Sequence, residues 1–206
     1  MNALANLTTP LAFSISTLLI LWSFGGGNLH DFWQRSFVLA GGLLVLVLAT
    51  AGFSMPILKN FLEKDFWQQK KISSSMIAGL VLALPFCIGL VVLQFWPSEY
   101  FPWIQQYIKE MPSPTWYGFL LISLIVAPIL ELYWRGLIAP QWGTFTTAFL
   151  EGLIWGFAAQ HVLFFIAGFA SSALIRLLVQ RQNGIQGAIV AKAVWTAMVL
   201  LTITVI

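Results

Sequence analysis

The sequence predicts an all-α polytopic integral membrane bundle of about seven spans, each run being near the ~20 apolar residues a crossing needs. Composition carries that expectation first: 8% of the 206 residues are charged, against about 25% in an ordinary soluble domain. Hydrophobic residues make up 59% and mean hydropathy is +0.87, so most of the surface must face lipid. A disordered chain, a nucleic-acid binder and a free-standing soluble enzyme are excluded on these grounds. The single cysteine, Cys87, rules out an intrachain disulfide and a multi-thiolate zinc site. It reads as a small buried apolar residue.

The expected spans, in order, are Thr9–Phe24, Ser36–Leu58, Ser74–Trp96, Thr115–Pro140, Thr144–Phe165, Ile166–Val179 and Ile185–Ile206. The first has no basic region before it and no small-residue cleavage site, so it is expected to be a retained segment. Gly25–Gly27 with Asn28 turns the chain after it, and Asn60–Lys71 is the most charged stretch. Ser98–Pro114 is interrupted by Pro102, Pro112 and Pro114, and Arg181–Gly184 closes the last hairpin. Tyr100, Phe101, Trp103 and Tyr107 in the Ser98–Pro114 stretch suit an element lying in the headgroup layer. Lys59, Lys64, Lys70 and Lys71 mark their loop as cytoplasmic by the positive-inside rule. Alternation then places the N-terminus and Arg181 inside and Ser98–Pro114 outside.

Ionisable groups inside spans are costly and mark sites. Glu131, Arg135, Glu151, His161 and Lys192 all fall within the expected spans. Glu131 and Arg135 are four apart and share a helix face, with Pro128 one turn earlier to loosen the backbone. His161 lies 15 residues after Thr146 and Glu131 lies 15 before it. Two antiparallel helices leaving that turn bring the pair to one depth, with Phe157 a turn before the histidine. Glu151 suits the positive end of its helix, and Ala148, Gly152 and Gly156 form a small-residue stripe for close helix approach. Lys192, with Thr196 one turn on, either snorkels to the cytoplasmic face or pairs with a cluster carboxylate.

Glu131-Leu-Tyr-Trp-Arg135-Gly136, Phe157-Ala-Ala-Gln-His161 and Lys192-Ala-Val-Trp-Thr196 together resemble the three-motif core of the CAAX-processing and bacteriocin-processing membrane proteases, the CPBP or Abi group. The likeness runs from about Trp116 to the end of the sequence. It implies a division into 1–114, N-terminal helices with an outer interfacial segment, and 115–206, a four-helix CPBP-like core within one structural unit. In the family pattern a Glu-Glu pair precedes the arginine, and the last motif carries His and Asn. Here Leu130 stands where the water-activating glutamate belongs, Lys192 replaces the histidine and Thr196 the asparagine. Leucine takes no proton, and Glu131 points about 100° away from that position.

The resemblance with its departures implies a catalytically silent relative that binds another integral membrane protein or membrane peptide, as a scaffolding or assembly subunit. The alternative is a rearranged glutamate-dependent intramembrane endopeptidase acting on a peptide or lipidated substrate. There Glu131 and His161 would orient water and Lys192 would stabilise the oxyanion, with Arg135, Phe157, Thr196 and Glu151 in support. In the silent case Lys192 neutralises Glu131. No metal, cofactor or nucleic acid is expected, and a bacterial inner or internal membrane is the expected location.

Overall fold

The computed structural model describes residues 14–15, 17–19, 22, 38–39, 41–46, 69–95, 99, 102, 106, 116–158 and 162–205. These residues are helical apart from isolated turns. Helix α1 is Gln69–Phe95. Helix α2 is a continuous rod over 116–142, in which π-helical turns at Ile122–Val126 and Leu132–Ile138 alternate with α-helix. Helix α3 is Thr144–Ala158. Helix α4, 162–180, opens as Val162–Leu174 and ends in the π-helical stretch Ile175–Gln180. Helix α5, Arg181–Val205, is broken by a non-helical Gly184.

Three helical stretches are long and apolar enough to cross a bilayer: Lys71–Phe95, Trp116–Gly136 and Phe165–Thr202. These three are counted among the described residues, and the expected spans Thr9–Phe24 and Ser36–Leu58 lie mostly outside them. The third is folded on itself, because Gly184 has φ 71°, a conformation that glycine adopts without the Cβ penalty. Ile175 and Val179 before the turn then pack on Ala188 and Ala191 after it. Asn183 at this turn donates from Nδ2 to Ser74 Oγ and Ser75 Oγ, both at 2.9 Å. Those hydroxyls donate in turn to the Lys71 carbonyl, at 3.0 and 2.8 Å. Lys71 and Arg181 therefore share one end of the bundle. Replacing Asn183 with alanine removes both side-chain bonds and should cost about 1–2 kcal/mol, measurable by thermal unfolding in detergent.

Helix α1 buries a stripe of small residues, Ser75, Gly79, Ala83 and Cys87. Its partners on α5 recur at the same spacing. A Cβ on Gly187 would lie 3.0 Å from Ser75 Oγ, and one on Gly79 would lie 2.5 Å from the Ala191 carbonyl oxygen. Ala83 and Cys87 close on Val199 and Trp195. The constant offset means that α1 and α5 run parallel, with four-residue rows interleaved as small side chains allow. The opposite face of α1 exposes Ile77, Leu80, Val81, Leu84 and Ile88, the apolar surface that lipid requires.

One expected span is corrected. Thr144–Phe165 is not a single helix: Phe149 meets Phe165 and Phe169 with ring centroids 5.6 and 6.5 Å apart. A straight helix would separate Phe149 from Phe169 by about 30 Å, so the chain reverses between Ala158 and Val162. At 15 residues, α3 is about 22 Å long, short of a ~30 Å hydrocarbon core. Its Gly152 makes the reversal possible, since a Cβ there would sit 2.8 Å from the Phe165 carbonyl oxygen. The small-residue stripe thus works within the chain. The aromatic interfacial residues Tyr100, Phe101, Trp103 and Tyr107 lie outside the described residues.

Candidate functional site

The in-span charges converge. Pro128 lacks the N–H that would hold the preceding turn, and Glu131 closes the short α-helical segment Ala127–Glu131 between the two π-helical stretches of α2. Wide π turns of this kind frequently accompany functional sites. Arg135 Nε donates to Glu131 Oε1 in a tight ion pair, and Arg135 Nη2 donates to Ser172 Oγ at 3.1 Å. On the other side, Lys192 Nζ stands 3.7 Å from Glu151 Oε1 and 3.4 Å from Ser171 Oγ. The lysine also lies 4.8 Å from the Trp195 ring centroid, a favourable cation–π distance. Adjacent serines on α4 therefore join the two ion pairs into one network.

Burial makes this network consequential. Glu131 is 0% exposed, Arg135 and Glu151 2%, and Lys192 8%. Two carboxylates face two cations, so the cluster is electrically balanced, as charges in a low-dielectric interior must be. Glu131 Oε2 and Glu151 Oε2 each remain buried without a hydrogen-bond partner among the described residues. The arrangement can accept two further donors, such as an amide N–H or a water.

One expectation is corrected here. Lys192 takes Glu151 as its carboxylate within ion-pair distance, and no Glu131–Lys192 pair forms among the described residues. Glu131 is held by the guanidinium one turn along its own helix, while Lys192 on α5 lies against Glu151 of α3 and Ser171 of α4. Glu151, two turns into its helix, is accordingly a member of the cluster through Lys192. The expected depth match between Glu131 and His161 falls on a residue outside the described ones, His161 itself, and Phe157 falls near the end of α3. Thr196 is half-buried, and no hydrogen bond joins it to the cluster among the described residues.

Leu130, at the position of the missing family glutamate, is buried among Val126, Tyr133, Trp134, Ile138, Leu39 and Leu43. Its side chain belongs to the apolar core. Ser171 and Ser172 are members that motif spacing does not reveal, since serines in a helix interior are silent until a cation is found opposite. Arg176 is a further in-span cation outside the motifs. Among the described residues no group of three or more His, Cys, Asp or Glu side chains could hold a metal ion. Comparison of the chain with protein-family models, with curated proteins and with solved structures finds no match.

Proposed function

We propose that this chain is a CPBP-like integral membrane protein, catalytically silent, that serves as a binding or assembly subunit for another integral membrane protein. One observation carries the reading: each carboxylate of the cluster is matched by its own buried cation, while the water-activating position is an apolar core residue, Leu130. General-base chemistry needs a carboxylate poised on water, and Glu131 is instead held by Arg135. The shared end of Lys71 and Arg181 supports placing that end in the cytoplasm of a bacterial inner or internal membrane.

A second reading, an intramembrane endopeptidase, is favoured by the unpaired Oε2 atoms of Glu131 and Glu151. Affinity purification of the full chain in mild detergent separates the two. The silent reading expects a stoichiometric membrane partner of unaltered length, retained by Glu131→Gln. Recovery of a cleaved partner whose cut is lost in Glu131→Gln contradicts it.

A further inference from the structure

The described in-span charges do not sum to zero. Glu131 and Glu151 are matched by Arg135 and Lys192, which leaves Arg176 in excess together with Lys71 and Arg181 at the bundle end. Among the described residues, the charged neighbours within interaction range of Arg176 are Arg135 and Arg181, both cations. Arg176 Nη1 is buried without a hydrogen-bond partner among the described residues, and so is Gln180 Oε1. The two residues are four apart on the π-helical end of α4, which places them on neighbouring positions of one face. One offers a charged donor and the other a neutral acceptor. A ligand that satisfies both must carry an anion next to a hydroxyl or amide proton.

We infer that Arg176 and Gln180, with Arg181 at the bundle end, hold the headgroup of a hydroxyl-bearing anionic phospholipid. The guanidinium fork matches phosphate oxygens and tolerates partial desolvation better than an ammonium. A headgroup hydroxyl donates to Gln180 Oε1, which a bare phosphodiester cannot do. Depth agrees, since Arg176 lies about 7 Å along the helix from Arg181, and the polar layer on each side of a bilayer is on the order of 5–8 Å thick. Leu174 and Leu178 are exposed on the same stretch and offer acyl chains an apolar surface. The bundle end is the basic one, where anionic lipids are recognised by pockets between helices. This site is separate from the balanced cluster and independent of whether that cluster is catalytic.

The test is native mass spectrometry of the full chain in neutral detergent, titrated with phosphatidylglycerol, phosphatidylethanol, phosphatidylcholine or soluble glycerol 3-phosphate. Phosphatidylglycerol should bind about tenfold or more tighter than phosphatidylcholine, the scale of one charged hydrogen bond. Arg176→Gln should remove that preference, and Gln180→Leu should reduce phosphatidylglycerol to the level of phosphatidylethanol, an anionic phosphodiester with no headgroup hydroxyl. Thermal unfolding in phosphatidylcholine nanodiscs verifies that each variant is folded. If Arg176→Gln does not fold, Arg176→Lys, which keeps the charge without the fork, should still weaken the preference severalfold. Equal binding of phosphatidylglycerol and phosphatidylcholine by the wild type overturns the inference, as does an unchanged preference in folded Arg176→Gln. Competition by glycerol 3-phosphate as strong as that of the lipid also overturns it, because the ligand is then a soluble phosphate.

Discussion

Lys192→Leu should destabilise the protein by about 3–5 kcal/mol, because it leaves Glu151 buried without its counter-charge. The lysine stands 3.7 Å from Glu151 Oε1 and is the cation that balances it inside the bundle. The loss should be recovered largely by adding Glu151→Leu, since two apolar residues in place of a buried pair are often neutral or stabilising. Adding Glu131→Leu instead should make matters worse, because Arg135 then loses its own partner. A double-mutant cycle read by reversible unfolding in detergent or bicelles measures these couplings. A cycle that couples Lys192 to Glu131 and not to Glu151 refutes this pairing.

Gly79→Leu should be the other severe change. A Cβ at this position would stand 2.5 Å from the Ala191 carbonyl oxygen and 3.0 Å from the Ala191 Cα. The obstacle is backbone, which cannot rotate aside, so α1 and α5 must separate along their parallel contact. Overpacking of this kind costs about 1–3 kcal/mol, and the rigid obstacle puts Gly79→Leu at the upper end. Gly89 provides the control, because nothing lies within 4 Å of a Cβ there. Gly89→Ala should raise stability by up to about 1 kcal/mol through helix propensity alone. Unfolding midpoints of both variants check the contrast. Equal losses at the two positions would show that propensity, and not the helix contact, governs α1.

Much of the architecture is legible in the residues themselves. The charge deficit gives a lipid solvent, the apolar runs mark α1 and α2, and Asn183-Gly184 marks the last turn. The Glu131–Arg135 pair follows from four-residue spacing, because helix geometry alone brings those groups together. The reversal after Ala158 is hidden because the chain stays apolar on both sides, with no proline or glycine pair to mark a turn. What permits it is tertiary: Gly152 admits the backbone of α4 where any side chain would block it. Lys192 finds Glu151 for a related reason, since its partner depends on how α3 and α5 are packed, which spacing along the chain does not encode. The stripe Ser75, Gly79, Ala83, Cys87 is regular, yet it gains meaning only beside Gly187 and Ala191.

The central claim is that the buried charges form a balanced structural core. It is tested most directly by removing all four at once, as Glu131→Gln, Arg135→Met, Glu151→Gln and Lys192→Met in one chain. With no charge left unpaired, the variant should unfold cooperatively within about 1–2 kcal/mol of the wild type, unlike Lys192→Leu alone. It should also retain, uncleaved, any membrane protein that co-purifies with the wild type. A variant that folds equally well but loses a cleavage performed by the wild type would contradict the claim and make the cluster an active site.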